Sequence, residues 1–336
     1  MITASSLSAQ PRALPDWRRS LREAVADPLE LLHLLGLGGL ADELPPHDAG
    51  FALRVPRGFV ARMCKGDPRD PLLLQVLPQL AECDDAPGYA IDAVGDLAAR
   101  VAHGVLHKYE GRALLISAGS CAVNCRYCFR RHFPYSEEIA ATNGWREALA
   151  HLRADDSIRE AILSGGDPLV LSTSKLAEFG AALARIPHVR TLRIHTRVPV
   201  VLPERIDEAF CAWLAALPLR RVVMLHANHP NEIDETVRAA CARLREAGAI
   251  LLNQSVLLRW INDDAGALAT LSERLFDCGV LPCYLHQLDQ VRGTAHFAVP
   301  DADALGLIET LRLRLPGYLV PRLVREVAGS TSKTPL

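Results

Sequence analysis

Cys121, Cys125 and Cys128 stand in a C-x3-C-x2-C spacing, while the other six of the chain's nine cysteines are scattered. Three thiolates on one short loop can hold three irons of a [4Fe–4S] cluster, which leaves the fourth iron open to a small molecule. Tyr127 and Phe129 flank the last cysteine and would shield such a cluster. Zinc is the competing ion, with His132 as fourth ligand in C-x3-C-x2-C-x3-H, but that is not a common zinc spacing. The scattered cysteines, Cys64, Cys83, Cys211, Cys241, Cys278 and Cys283, read as reduced thiols of a cytoplasmic protein.

A loop of this kind needs a rigid element to position it. Directly before it lies an apolar run, ALLISAG at 113–119. Five more runs follow: AILSGG (161–166), LRIHTR (192–197), RVVMLHAN (221–228), AILLNQSVLL (249–258) and VLPCYLHQ (280–287). Segments with helical patterning, such as SKLAEFGAALARIP and DETVRAACARLREAG, separate them. Strand alternating with helix at this spacing is the mark of parallel βα units, so the class is α/β. Six units suit a doubly wound sheet or a partial barrel, and both gather chemistry at the C-terminal ends of their strands. Those ends read SCAVNC, SGGDP, HTRVPV, HANHPNE, NQSVLLR and HQLDQ, rich in side chains that bind ligands. Residues 1–95 read as a mainly helical N-terminal region, 96–300 as the βα body and 301–336 as a C-terminal segment.

Composition narrows the function classes. With 336 residues, 49% of them hydrophobic and 23% charged, the chain has ample material for a core. Lys plus Arg is 37 against 39 for Asp plus Glu, a balance without the basic excess of a general nucleic-acid binder. No apolar run approaches a membrane span, and MITASSLSAQPRALPDWRRSL has no apolar core that would make it a secretory signal. A cytoplasmic address is expected, with neither nucleic acid nor membrane as partner.

The runs HKYEGRALLISAGSCAVNCRYCFRRHF, ILSGGDPL, IPHVRTLRIHTRVPVVLPERI, HANHPNEI, NQSVLLRWIND and SKTP, in this order, resemble the lysine 2,3-aminomutase family of radical S-adenosylmethionine enzymes. The resemblance implies a partial (β/α)6 TIM-like barrel. It also implies three cofactors: a [4Fe–4S] cluster on Cys121, Cys125 and Cys128, S-adenosylmethionine on its open iron, and pyridoxal 5′-phosphate. The cofactors supply the hard chemistry, and the protein supplies position and shielding.

Site residues follow from the same resemblance, position by position. Lys333, in Ser332-Lys333-Thr334-Pro335, falls where the family places its Schiff-base lysine, although alone it would read as a solvated tail. Lys108 and Arg112 match basic positions expected to hold the cofactor phosphate. Arg130 matches the residue for the substrate α-carboxylate, and Asp289 and Glu326 match acidic positions for the distal ammonium of lysine. By residue type alone, Glu326 could equally pair with Arg325 or Arg322, and Arg130-Arg131-His132 could be a solvated turn. Ser164, Gly165, Gly166 and Asp167 resemble the glycine-rich motif for S-adenosylmethionine, and His226 and Gln254 match positions near its adenosyl part.

The long, stand-alone members continue beyond the lysine motif with zinc-binding cysteines, and carry another cysteine where Asp264 stands here. The sequence is closer to the short form of the elongation factor P pathway. That form converts (S)-α-lysine to (R)-β-lysine, which a separate β-lysine ligase attaches to elongation factor P. Free lysine, the ligase and elongation factor P are thus the expected partners, with a reductant such as flavodoxin or ferredoxin, and a homo-oligomer is open. The rival readings are a catabolic aminomutase acting on free lysine or another amino acid, and a non-catalytic cluster-binding partner of translation factors. Asp289 argues against glutamate, whose side chain an acidic pocket would repel.

Overall fold

The computed structural model describes residues 16–46 and 51–336. The chain enters through short helices, α1 (Trp17–Arg22), α2 (Pro28–Leu34) and α3 (Arg57–Val60). Asp16 and Asp27 cap the first two by accepting from backbone N–H groups, and Pro28 opens α2 where no N–H partner is needed.

Strands β1 (Arg100–Ala102), β2 (Val105–Tyr109) and β3 (Arg112–Ala118) pair antiparallel. The β2–β3 turn is Glu110-Gly111, and the positive φ of Gly111 (74°) suits a two-residue hairpin. From β3 onward the sheet is parallel, through β4 (Glu160–Gly165), β5 (Thr191–Thr196), β6 (Arg220–His226), β7 (Ile250–Val256), β8 (Leu281–His286) and β9 (Arg322–Arg325). A last short strand, β10 (Thr334–Pro335), returns antiparallel on β9.

The crossovers carry helices α4 (Arg146–Ala154), α5 (Thr173–Leu183), α6 (Val198–Val201) with α7 (Glu208–Ala216), α8 (Glu235–Glu246), α9 (Ala265–Asp277) and α10 (Asp301–Arg314). Helix α5 buries Leu176, Phe179, Gly180 and Leu183, the i, i+3, i+4, i+7 face of a helix packed on a sheet. Six βα units are complete, and the architecture is a partial (β/α)6 barrel. The sheet edges do not pair with each other. Side chains span the gap instead: Tyr109 of β2 donates to Glu326, just past β9, at 2.6 Å.

The regions expected on either side of 95/96 and of 300/301 share apolar cores. One apolar core joins Trp17, Leu31, Phe59 and Leu73 of the entry region to Leu115, Leu163, Ile194 and Val223 of the barrel strands. A second core joins Leu285 of β8 to Ile308 of α10 and Leu323 of β9, so the segment after 300 completes the sixth unit and adds a seventh parallel strand. Among the described residues no helix is long and apolar enough to cross a membrane. Of the segment 1–21 that lacks the apolar core of a secretory signal, residues 1–15 lie outside the described ones.

Candidate functional site

A cavity of about 800 Å³ is lined by the inner face of the barrel and the loops that follow its strands. It gathers every site residue expected from the sequence: the three cysteines, Lys108, Arg112, Arg130, Ser164, Gly165, Gly166, Asp167, His226, Gln254, Asp289, Glu326 and Lys333.

The cysteine loop follows β3, and the end of β4 presses on it. A Cβ on Gly166 would lie 2.3 Å from the Ser120 carbonyl oxygen, and Gly165 sits at φ 111° with no room beside Ala118. Glycine at both positions is thus a condition of close backbone approach. The carboxylate of Asp167 is taken up internally, accepting from Thr196 Oγ1 at 2.7 Å and from the N–H groups of Leu169, Arg197 and Val198. It braces the β4 and β5 ends against each other.

The entry region holds the loop from its other side. Arg54 donates to the Cys121 carbonyl at 3.3 Å, and the N–H of Asn124 donates to the Arg54 carbonyl at 3.0 Å. Arg126, fully buried, pairs with Glu82, which Arg131 also reaches at 2.7 Å. His132 turns to the Arg292 carbonyl at 3.2 Å and lies outside the cavity lining, away from the place of a fourth zinc ligand.

Arg197 is the polar centre under this loop, and sequence reasoning gave it no role. It donates to Cys125 Sγ at 2.8 Å, the Tyr127 hydroxyl at 2.7 Å, Gln75 at 2.6 Å and Glu232 at 3.0 Å. Cys121, Cys125 and Cys128 are all free thiols. Burial pushes Cys128 up to about 11 and Cys121 well above its ordinary value. Buried thiols of this kind give up their protons to a metal rather than to water, and a thiolate set beside a guanidinium suits an iron–sulfur cluster.

The opposite wall is ionic. Asp96, buried and also unforeseen, takes Lys108 Nζ on one oxygen and Arg130 Nε on the other, both at 2.6 Å. Burial opposes its charge, but Arg130 and Lys108 prevail and hold its carboxyl below the usual range. Arg130 also donates Nη1 to Ser164 Oγ at 3.1 Å, so its Nη1/Nη2 end faces the cavity. Lys108 is thereby committed to Asp96 and, at 3.6 Å, to Glu326. Arg112 stacks on Tyr109 and makes no ion pair among the described residues.

Glu326 pairs with Lys333 Nζ at 2.7 Å and accepts from Tyr109; neither Arg325 nor Arg322 takes it, and Arg325 bonds Asp301 instead. Asp289 has no side-chain partner among the described residues. Burial, then the nearby charge of Glu326, push it up to about 7. His226 receives or gives a hydrogen bond at the Tyr127 hydroxyl (2.9 Å), and burial holds it near 3, so it is neutral at physiological pH. His195 and His286 line the cavity with buried Nε2 atoms that have no partner. Orphaned imidazoles, the unpaired Arg112 and an amine at Lys333 fit a polar aromatic phosphate such as pyridoxal phosphate.

No family model matches the chain. Among curated proteins it is 50% identical over 323 residues to L-lysine 2,3-aminomutase of Escherichia coli, covering 96% of this chain and 94% of the relative. It is 45% identical over 322 residues to the enzyme of the same name from Haemophilus influenzae, covering 95% of each. The Clostridium subterminale lysine 2,3-aminomutase is 33% identical over 325 residues, and the match covers 77% of that longer chain. Among solved structures, a radical SAM methyltransferase from Sphaerobacter thermophilus superposes with TM-score 0.47 at 18% identity, over 66% of this chain and 68% of the other.

Proposed function

The chain belongs to the lysine 2,3-aminomutase family of radical S-adenosylmethionine enzymes, and on that premise we propose that it moves the α-amino group of free lysine to the β-carbon for modification of elongation factor P. It is an isomerase, and its cofactors are a [4Fe–4S] cluster, S-adenosylmethionine and pyridoxal 5′-phosphate. When bound, these supply a one-electron route to breaking a C–H bond and an electron sink for the migrating nitrogen.

The chain's own residues bind, orient and shield. Cys121, Cys125 and Cys128 would hold the cluster, with Arg197 donating to a ligand sulfur. The backbone of Ser164, Gly165 and Gly166, with His226 and Gln254, would hold S-adenosylmethionine, while Asp167 fixes that loop rather than contacting the ligand. Lys333 would carry pyridoxal phosphate and Arg112 its phosphate, with Lys108, paired to Asp96, adding charge. The Nη1/Nη2 end of Arg130 would take the substrate carboxylate bidentately.

The observation that carries lysine as substrate is the ion pair of Lys333 with Glu326 beside an unpartnered Asp289. The wall already holds one lysine ammonium. With Lys333 given over to the cofactor, Glu326 and Asp289 would be open to the distal ammonium of the substrate. Tyr109 keeps Glu326 oriented. Cavity walls then hold the substrate close and keep water from a reactive radical.

Identity of 50% and 45% to the Escherichia coli and Haemophilus influenzae relatives, against 33% to the Clostridium subterminale enzyme, supports the elongation factor P assignment over lysine catabolism. The β-lysine ligase and elongation factor P would stand downstream, in the cytoplasm, and a flavodoxin or ferredoxin upstream as electron donor. Deleting the gene should strip β-lysine from elongation factor P, and supplied (R)-β-lysine should restore it. Unchanged modification in the deletion strain would defeat this part of the reading.

A further inference from the structure

Away from the cavity, His107 of β2 meets His151 and Asp155 at the C-terminal end of α4. The i, i+4 spacing of His151 and Asp155 puts both on one face of the helix end. One donor atom from each of the three residues lies within 4.8 Å of the others, and all three are partly exposed. None of them lines the cavity.

The separations are too long for good hydrogen bonds and suited to a shared ion. His151 Nε2 is 3.4 Å from His107 Nδ1, and His107 Nδ1 is 3.9 Å from Asp155 Oδ2. Strong N–H hydrogen bonds run to about 3.2 Å. Two bonds of about 2.0–2.1 Å from a tetrahedral zinc place their donor atoms roughly 3.4 Å apart.

The carboxylate is already oriented for such a role. Asp155 Oδ1 accepts from Ser157 Oγ at 2.6 Å and Ser157 N at 3.0 Å, which leaves Oδ2 for another partner. Support of this kind is what metal ligands receive from their surroundings. The nine-residue α4 ends here, and the partial negative charge of a helix C-terminus favours a cation.

We propose that His107, His151 and Asp155 form a binding site for a divalent transition ion of the zinc class, with water completing the coordination. Two imidazoles and a carboxylate with an open position suit zinc, and the Irving–Williams order lets cobalt and nickel serve as probes. The ion would tie β2 to α4. Because β2 also carries Lys108, it would brace the strand behind the ionic wall without touching substrate.

The test uses cluster-loaded protein, in which the cavity cysteines hold iron. After equilibration with zinc and removal of the excess, wild type should retain about one zinc per chain and gain thermal stability with zinc. His151→Ala and the near-isosteric Asp155→Asn should each bind zinc at least tenfold more weakly, and the second serves should the first fail to fold. Cobalt in the wild-type site should show the visible bands of a nitrogen–oxygen site without thiolate charge transfer. Failure of wild type to retain zinc, equal retention by both variants, or a thiolate signature would each overturn the proposal.

Discussion

Asp289 and Glu326 line one cavity, yet burial lifts Asp289 to about 7, while Lys333 and Tyr109 overcome burial to hold Glu326 below its ordinary value. Because the folded-state value of Asp289 is raised, its contribution to stability is fully present below about pH 4 and is lost as pH rises through about 7. Substrate binding runs the other way, since only the ionised carboxylate attracts an ammonium. The KM for lysine should therefore fall about tenfold between pH 6 and pH 8, following the ionised fraction. A flat profile would contradict the assignment. Asp289→Asn should raise that KM roughly ten- to a hundredfold and leave the KM for S-adenosylmethionine unchanged, as loss of one charge-assisted contact of about 1.5–3 kcal/mol requires.

Asp96 works through Arg130. Its lowered value contributes stability above the unfolded-state pKa, and that stability is lost as pH falls below about 4. Asp96→Asn would leave Arg130 without a counter-charge and Lys108 with Glu326 alone, a loss of about 3–5 kcal/mol for a broken buried pair. Thermal unfolding should show that loss, and the KM for lysine should rise as Arg130 loses its brace. A fall in Tm with KM intact would make Asp96 purely structural.

At the scale of elements, the glycine pair at the end of β4 sets how closely the cysteine loop can approach. Gly166→Ala should push Ser120 away, costing about 1–3 kcal/mol of overpacking, and lower the iron and sulfide bound per chain. A full complement of iron in that variant would contradict the packing account. The six strands that carry the site were legible because each is a short apolar run ending in polar residues, and each lies within a few residues of its expected place. Strands β2 and β9 were not, because VLHKY and RLVR are short, mix charge with apolar residues and take their meaning from long-range pairing. Asp96 and Arg197 were hidden for a related reason. Their partners lie 34 and 72 positions away, at Arg130 and Cys125, and no local spacing announces them.

At the scale of the whole molecule, the chain closes its barrel with chemistry rather than with backbone pairing. Glu326 and Lys333, near the end of the chain, meet Lys108 and Tyr109 on the first hairpin. The entry region, expected only to pack, also grips the cysteine loop through Arg54, Gln75 and Glu82. Lys333 became legible only through the ordered resemblance upstream, since a terminal lysine alone reads as solvated. Lys333→Ala should abolish the visible absorbance of lysine-bound pyridoxal phosphate while iron and sulfide stay at wild-type levels. Loss of both together would mean that the two halves of the cavity depend on one another for folding.

The most direct measurement is turnover. Cluster- and pyridoxal phosphate-loaded protein, incubated anaerobically with L-lysine, S-adenosylmethionine and a strong reductant, should yield β-lysine that a chiral column resolves as the (R) form. Absence of any β-lysine, from protein shown to hold both cofactors, would contradict the account.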